Sequence, residues 1–373
     1  YIMSKIPTLR FKEINGDWNE NKFENIFNFS TGKNIKQNEA SPEFEIPCVR
    51  YGELYHMYNE IISNVINSTN LDKSELVFSQ GNEILLPSAG EDPLDIGSAS
   101  ALTIPNIAIG RTINILRPLS DNVYSQKYVS YYINQKLRRT ISTLAKGSSI
   151  SNVYNSDLKK LNIFLPSLIE QEKIASFLNQ VDTKIEQLTK KEKLLQQYKK
   201  GVMQKIFNQE IRFQADDGSE FCDWEEKRLK EVLDYEQPTK YIVESTEYNG
   251  NYNTPVLTAG KTFILGYTNE ENGIYTNSPV IIFDDFTTAN HYVDFDFKVK
   301  SSAMKLLKEK NENICLKFVY EFIQKLHFPI GEHKRYWISE YSYLKIKLPC
   351  LEEQNKIANF LSSIDTKIEQ TQK

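Results

Sequence analysis

The residues closest to a phosphate-binding motif are Gly260, Lys261 and Thr262. A P-loop cradles phosphates with the backbone N–H groups of a glycine-rich turn and requires the pattern G-x-x-x-x-G-K-[ST]. Pro255 occupies the position of the first glycine, and proline removes a backbone N–H donor. The sequence therefore predicts no nucleotide site here, and Lys261 and Thr262 remain candidates for another polar contact.

Paired acids, histidines and cysteines give no catalytic or metal-binding pattern. Asp284-Asp285 and Glu91-Asp92 are adjacent carboxylates in polar loops, but neither pair has an evident third ligand. The four histidines form no H-x-x-x-H pair, the four cysteines form no CxxC pair, and no G-x-S-x-G segment occurs. We expect no catalytic residue, cofactor site or metal site in this chain, and no enzymatic activity.

Basic residues are clustered, although the formal net charge of the 373 residues is −4. Residues 11–110 contain 6 basic and 15 acidic side chains, and residues 111–150 contain 7 and 1. Residues 213–297 contain 5 and 17, and residues 298–350 contain 11 and 5. Because clustered Lys and Arg supply phosphate contacts, this distribution keeps nucleic acid as a candidate partner. No run approaches the ~18 apolar residues of a membrane span, so we expect a cytoplasmic protein.

The elements that must position these residues are duplicated. Residues 165–187 read LPSLIEQEKIASFLNQVDTKIEQ, and residues 348–370 read LPCLEEQNKIANFLSSIDTKIEQ, with 16 of 23 positions identical at an offset of 183. A fainter similarity links the residues after Trp18 with those after Trp224, at an offset of 206. The chain therefore contains two diverged segments, each followed by one of two near copies.

The first near copy begins a long predicted helix, residues 168–207. Its apolar residues recur every 3.5 residues on average, as in a coiled coil; they are Ile174, Leu178, Val181, Ile185, Leu188, Leu195, Val202 and Ile206. Glu192 and Lys199 interrupt this seam, and Ser167 with Glu170 forms an S-x-x-E capping box. Such a helix needs a partner, and its own copy from Leu351 is the obvious one. The alternative is a helix that packs only on a globular domain.

The diverged segments read as mixed α/β structure. Short β-branched or aromatic runs predict strands at residues 83–87, 102–105, 279–283 and 292–295, and amphipathic patterns predict helices at 124–144 and 315–326. The fold class is therefore α+β, with two mixed α/β domains separated by long helices that pair as an antiparallel coiled coil, and with an internal pseudo-twofold repeat.

The duplicated LPxLxEQxxIAxFL, followed each time by Asp-Thr-Lys-Ile-Glu, closely resembles the conserved regions of the DNA-specificity subunits of type I restriction-modification systems. The resemblance covers essentially the whole chain. It implies a first target-recognition domain at 1–165, a central spacer helix at 166–208, a second recognition domain at 209–348 and a second conserved helix at 349–373. A second helix as long as the first would extend about 17 residues past Lys373, so we expect the last helix to be truncated.

The resemblance also implies a role in bacterial defence and a set of partners. Each recognition domain would read one half of a split, asymmetric DNA target, and the paired helices would set the gap and dock two methyltransferase subunits. S-adenosylmethionine would be bound by those subunits, and ATP and Mg by two separate motor subunits. None of these cofactors is expected in this chain.

Residue chemistry and loop placement give the candidate DNA contacts, since Arg suits guanine edges and phosphates and hydroxyls suit either. They are Arg50, Tyr51, Arg111, Lys146, Ser148, Ser149, Lys261, Thr262, Thr288, Ser301, Lys334, Arg335 and Tyr336. The candidates for helix pairing and partner docking are Glu170, Gln171, Ile174, Phe177, Leu178, Val181, Ile185, Leu188, Glu353, Gln354, Ile357, Phe360, Leu361, Ile364 and Ile368. Two other functions remain open: a coiled-coil scaffold that does not bind DNA, and a nuclease of unfamiliar motif.

Overall fold

The structure is a computed structural model that describes residues 9–147, 150–260, 262–329 and 334–373. Its contacts divide the chain into two compact units, Tyr1–Ile185 and Glu186–Lys373, and the division falls inside one long helix. The candidate residues Ser148, Ser149 and Lys261 lie outside the described residues.

The first unit is built on two main sheets, with strand orders β5-β3-β10-β6 and β2-β11-β7-β9-β4, and two short ribbons, β1-β13 and β12-β8. The strands are β1 (Asn19–Lys22), β2 (Phe27–Thr31), β3 (Ile46–Val49), β4 (Ile61–Ile62), β5 (Asn67–Thr69), β6 (Phe78–Gln80), β7 (Glu83–Pro87), β8 (Ala89–Gly90), β9 (Ser100–Leu102), β10 (Pro105–Ile109), β11 (Ile113–Pro118), β12 (Ser151–Asn152) and β13 (Asn162–Leu165). The helices are α1 (Phe23–Ile26), α2 (Glu53–His56), α3 (Pro93–Ile96), α4 (Gln126–Tyr132), α5 (Arg138–Leu144) and α6 (Asn155–Leu158), with a π-helical stretch, Ile133–Leu137, between α4 and α5.

The long helix α7 (Leu168–Phe207) begins just after Pro166 and crosses from the first unit into the second. At its start the Glu170 N–H donates to Ser167 Oγ at 3.3 Å, which is one half of the predicted capping box. Its end is closed by Gln209, which has a φ of 62°, and by the Glu210 N–H, which donates to the Lys205 carbonyl at 2.9 Å. This is the Schellman arrangement, which satisfies carbonyls that a helix end leaves free.

The second unit repeats the plan with sheets of order β15-β21-β18-β19 and β17-β16-β20 and a ribbon β14-β22. Its strands are β14 (Glu225–Arg228), β15 (Leu233–Glu236), β16 (Thr254–Leu257), β17 (Ile264–Thr268), β18 (Val280–Asp284), β19 (Asn290–Val293), β20 (Lys298–Val299), β21 (Met304–Glu309) and β22 (Lys345–Leu348), and its helices are α8 (Leu229–Val232), α9 (Leu316–Lys325), α10 (Tyr336–Ser339) and α11 (Leu351–Gln372).

The two units share a strand order that their sequences do not reveal. In the larger sheets, β2-β11-β7-β9 corresponds to β15-β21-β18-β19, and every one of these neighbours pairs antiparallel. In the smaller sheets, the parallel pair β3-β10 corresponds to the parallel pair β16-β20. The predicted mixed α/β class with an internal repeat is therefore confirmed.

One predicted strand is wrong. The run 102–105 spans a corner, because β9 ends at Leu102 in the larger sheet and β10 begins at Pro105 in the smaller one. At this corner the Thr103 N–H donates to the Ile62 carbonyl of β4 at 3.0 Å, and Ile104 accepts a hydrogen bond from Ser79 Oγ at 2.7 Å. A short apolar run does not distinguish a strand from a buried turn between strands.

Candidate nucleic-acid interface

A buried glutamate at the start of α7 ties the beginning of the first unit to that helix. Glu170 is 1% exposed and accepts two bonds from the Arg10 guanidinium, at 2.7 Å from Nε and 2.6 Å from Nη2. Trp18 Nε1 donates to the same carboxylate at 3.4 Å. The Glu170 side chain therefore makes this fork instead of returning to the helix N-terminus, which explains why the capping box is only half formed.

The second unit repeats this clamp. Glu353, fully buried, accepts bonds from Arg212 at 3.2 and 2.8 Å and from Trp224 Nε1 at 2.9 Å. Hydrogen bonding to Glu353 raises the pKa of Arg212. Charge-assisted forks of this kind fix geometry as well as adding energy. The repeated glutamate thus explains why an arginine and a tryptophan occur near the start of each unit.

The glutamines beside these glutamates hold a second helix. Gln171 accepts from the Ser125 N–H at 2.9 Å and donates to the Pro166 carbonyl at 2.9 Å, so it links α7 to the start of α4. Gln354 does the same for α9 through the Cys315 N–H at 2.8 Å. The side chains of Glu170, Gln171, Glu353 and Gln354 are all buried, each pair within its own unit. Their predicted part in helix pairing or partner docking has no support in this geometry, which assigns them to intramolecular clamps.

In the second unit, α11 packs antiparallel on residues 192–207 of α7. Gln372 donates to Glu192 at 2.7 Å, and Lys199 Nζ lies 2.7 Å from Asp365. The candidates Ile357, Leu361 and Ile364 are at most 3% exposed, and Phe360 and Ile368 are half-buried against the same cluster. The predicted antiparallel pairing of the two helices is confirmed over these residues.

The matching face of α7 is exposed in the first unit. Phe177 is 55% exposed, Val181 40% and Ile185 56%, although these positions correspond to Phe360, Ile364 and Ile368 at the offset of 183. Ile174, Leu178 and Leu188 are half-buried. No described segment of the first unit covers this apolar face as α7 covers α11 in the second.

The lysine that interrupts the apolar seam has two acidic partners. Lys199 Nζ lies 2.9 Å from Glu321 of α9 and 2.7 Å from Asp365 of α11. Glu321 is fully buried, and burial raises its pKa while Lys199 opposes the shift. Tyr131 is the counterpart of Glu321 in the first unit, because each lies six positions after the residue whose N–H the repeated glutamine accepts. Tyr131 donates a hydrogen bond to Asp182. The position that is a glutamate in the second unit is therefore a tyrosine in the first.

In the first unit, three DNA-contact candidates lie at one edge, where β3 and β10 end. Arg50, Tyr51 and Arg111 line a single recess of about 430 Å³ together with Lys36. Arg111 is exposed, and its N–H donates to the Asn34 carbonyl at 2.9 Å. Three cations, a tyrosine and the buried Glu53 line this recess, and the DNA-contact role of Arg50, Tyr51 and Arg111 stays a prediction.

The fourth described candidate of the first unit, Lys146, lies just after α5 and forms a β-bridge with Asn152. Its exposed side chain forms an ion pair at 3.1 Å with the buried Asp157, and hydrogen bonding to Lys146 lowers the pKa of that carboxyl. The adjoining ribbon β12-β8 reaches Tyr51, because Tyr51, Gly90 and Ile150 line one neighbouring recess of about 370 Å³. The contact role of Lys146 stays a prediction.

In the second unit, Thr262 and Ser301 lie near the ends of β16 and β20, the strands that correspond to β3 and β10, and Thr288 lies beyond the end of β18. Thr262 and Ser301 are exposed, and Thr288 is in the tight turn after β18 with a φ of 57°. Lys334 pairs with Glu340, and Arg335 is exposed at the start of α10. Tyr336 is the exception: its side chain is 1% exposed and packs on Phe328, so it is not available to DNA and the prediction for it is corrected.

A buried ion pair that the sequence did not indicate supports this segment. Lys305 Nζ lies 3.2 Å from Asp285 Oδ2, and both residues are at most 1% exposed. Asp285 accepts the N–H groups of Tyr336 and Trp337, each at 2.8 Å. In the first unit the second residue of β11, Asn114, is also buried and donates to the carbonyl of Val153. In each unit, a buried polar residue at the second position of β11 or β21 thus supports the chain near the start of a short helix, α6 or α10.

Neither a metal-ligand cluster nor a helix fit to cross a membrane occurs among the described residues. Within 9–147, 150–260, 262–329 and 334–373, no three or more His, Cys, Asp or Glu side chains are arranged to hold a metal ion. No helix in these ranges has both the length and the apolar character of a membrane span.

Comparison with known proteins gives one consistent family. The family model described as a type I restriction modification DNA specificity domain matches residues 15–196 and 222–373. The specificity subunit of the type I restriction enzyme EcoR124I/EcoR124II of Escherichia coli is 55% identical over 141 residues, 36% of this chain and 35% of that protein. The chain thus matches about a third of the length of that relative.

Two further matches extend over nearly the whole chain. The type I restriction enzyme MjaVIII specificity subunit of Methanocaldococcus jannaschii is 24% identical over 410 residues, with 99% of this chain and 92% of that protein covered. The crystal structure of a type I restriction-modification S subunit from M. genitalium superposes with a TM-score of 0.69 and 18% identity, covering 99% and 93% of the two chains. At that identity the structure supports the fold.

Proposed function

The chain belongs to the family of type I restriction-modification DNA specificity proteins, and from this we propose that it selects the DNA sequence on which a multisubunit methyltransferase and restriction enzyme acts. One observation carries the proposal: the same strand framework occurs twice and presents different side chains at its exposed edge. The first unit offers Arg50 and Arg111 there, and the second offers Thr262, Ser301 and Arg335. Two unlike readers suit a bipartite target with unrelated halves, whereas identical readers suit a palindrome.

The exposed apolar face of α7 supports docking of a partner helix. Phe177, Val181 and Ile185 repeat the face that α7 covers on α11, so a helix with a similar seam fits it. We propose that this face takes part in binding methyltransferase subunits, two per chain, which bind S-adenosylmethionine and methylate adenine. Two motor subunits with ATP and Mg complete the restriction complex, and the assembly acts in the cytoplasm, where its DNA target lies.

The test is to express the chain with the methyltransferase subunit of its own system and to map methyladenine across the host genome. A split, asymmetric methylated motif supports the proposal. Gel shifts of the assembled complex should show sequence-selective binding that weakens steeply with salt. A chain that acts only as a protein scaffold gives neither the motif nor selective binding.

We predict that the chain alone has no methyltransferase, nuclease or ATPase activity, because its sequence contains no recognisable catalytic motif. The measurement is turnover by rigorously purified chain, with the assembled complex as the positive control. Turnover without partners that persists after a further purification step would contradict this prediction.

A further inference from the structure

The acid beside the first unit's recess holds one arginine in a fixed orientation. Glu53, the first residue of α2, is 2% exposed. Its Oε1 accepts from Arg50 Nε and from Asn67 Nδ2, each at 2.8 Å, and its Oε2 accepts from the Arg50 backbone N–H at 3.1 Å. With three donors the carboxylate cannot turn, and the guanidinium plane is set by it.

This arrangement leaves one edge of the guanidinium available. Nη1 and Nη2 of Arg50 have no acceptor among the described residues, and the side chain is 23% exposed at the recess that Lys36 and Arg111 also line. Two parallel N–H donors match the O6 and N7 acceptors of a guanine in the major groove, the commonest specific arginine contact.

The backbone is strained next to two of the cations that line the recess, Lys36 and Arg111. Asn34, Ile35 and Thr112 have φ values of 50°, 56° and 68°, in the left-handed region that β-branched residues avoid. Ile35 lines the recess and precedes Lys36, and Thr112 follows Arg111. Strain of this kind persists where surrounding structure enforces it, and it clusters at ligand sites.

We propose that Arg50 reads a guanine in the half-site recognised by the first unit and that Glu53 is the residue that positions it. The proposal rests on the proposed DNA-specificity function and names one of its reading contacts. The described residues of the second unit contain no arginine at the equivalent position. Thr258 follows β16 where Arg50 follows β3, and its hydroxyl donates to the Thr262 carbonyl at 2.8 Å. The contact therefore belongs to one half-site only.

The experiment compares the wild-type chain with Arg50→Lys, Glu53→Gln and Lys36→Gln, each assembled with the methyltransferase subunit. Methylome sequencing defines the two half-sites, and methylation rates on duplexes altered at each position give the discrimination. We expect Arg50→Lys to lose about 10- to 100-fold of discrimination at one G·C pair of one half-site, since lysine keeps the charge but loses the two-donor fork. Glu53→Gln should relax the same base pair. The other half-site, unchanged, is the internal control for assembly.

Lys36→Gln is the matched control for loss of a cation from the same recess, and we expect it to weaken methylation of all sequences about equally. If Arg50→Lys and Glu53→Gln behave like Lys36→Gln, the arginine contacts a phosphate and the proposal is overturned while the DNA-specificity function stands. A first half-site without a G·C pair overturns it too. A wild-type complex that methylates without sequence preference overturns the proposed function and this inference together.

Discussion

Arg335 extends from the loop before α10 with its side chain exposed, while the next residue, Tyr336, is buried. The Asp285–Lys305 pair below fixes the backbone here, so the arginine is presented from a supported segment. The chemistry of both side chains made them candidate DNA contacts, but the sequence did not indicate that one is exposed and the other buried. The ring of Tyr336 packs on Phe328, eight positions earlier in the chain.

Arg335→Ala should weaken recognition of one half-site, by ~1–3 kcal/mol if the contact is a bidentate base contact. The measurement is affinity of the assembled complex for duplexes altered in each half-site. Lys310→Ala is the matched control, because Lys310 follows the opposite end of β21 from the reading edge. Equal loss in both half-sites would mean that Arg335 supports the fold instead.

Glu353→Ala should lower the free energy of unfolding by about 2–4 kcal/mol, because Arg212 and Trp224 each lose a buried acceptor. Urea unfolding of the full chain measures it. Glu352→Ala, at an exposed position that pairs with Lys356, is the control and should cost less than ~1 kcal/mol. Similar losses for the two variants would argue against the clamp.

Among the elements, the repeat predicted the long helices and their antiparallel pairing, but it could not predict the clamps at their start. Glu170 and Gln171 are identical in the two copies, which indicates that both have a role. Their hydrogen-bond partners, Arg10 and Ser125, are distant in sequence, so the repeat does not identify them. Lys199 was visible as an interruption of the seam. Its partner Glu321 lies on another helix, so pattern alone could not identify the ion pair.

The α7-α9 contact should give the second unit a pH-dependent stability. Burial raises the pKa of Glu321 above 4.5, so the folded state binds this proton more tightly than the unfolded chain does. Its contribution is therefore present below pH 4.5 and is lost as pH rises through the folded pKa. Glu321→Gln cannot titrate and should flatten this decline in the free energy of unfolding.

Urea unfolding at a series of pH values above 4.5 measures the effect, with Glu369→Gln at an exposed position of α11 as the control. An unchanged pH slope in Glu321→Gln would contradict the prediction.

At the scale of the whole molecule, the two units share strand order without a recognisable match between their interiors. Strand propensity located β7 and β18, the central strands, because their buried runs are apolar. The order of the strands depends on pairing between distant segments, such as β3 with β10, and a propensity pattern carries no information about partners. The same limit applies to the reading edges, where residues from several loops meet.

Inserting four residues at matched points of α7 and α11 should lengthen the unread gap in the DNA target. The insertion adds ~6 Å of helix at 1.5 Å per residue, which is about one or two base pairs at ~3.4 Å each. Four residues slightly exceed one turn, so the apolar seam rotates little and can repack. Methylome sequencing reports the gap. Full activity with an unchanged gap would mean that the helices are not the ruler.

The triad at Lys199 also bears on how the chain avoids pairing errors. Residues 168–187 and 351–370 are near copies, so a helix such as residues 192–207 of another molecule meets two almost identical faces. Misassembly and domain swapping are characteristic failures of repeated sequences. Beside α11 the lysine meets Asp365 of that helix and Glu321 of α9, whereas on the first half of α7 the matching acid is Asp182, which already accepts a hydrogen bond from Tyr131. The buried Glu321 carboxyl thereby favours pairing of residues 192–207 with α11 over pairing with the near-identical first half of α7.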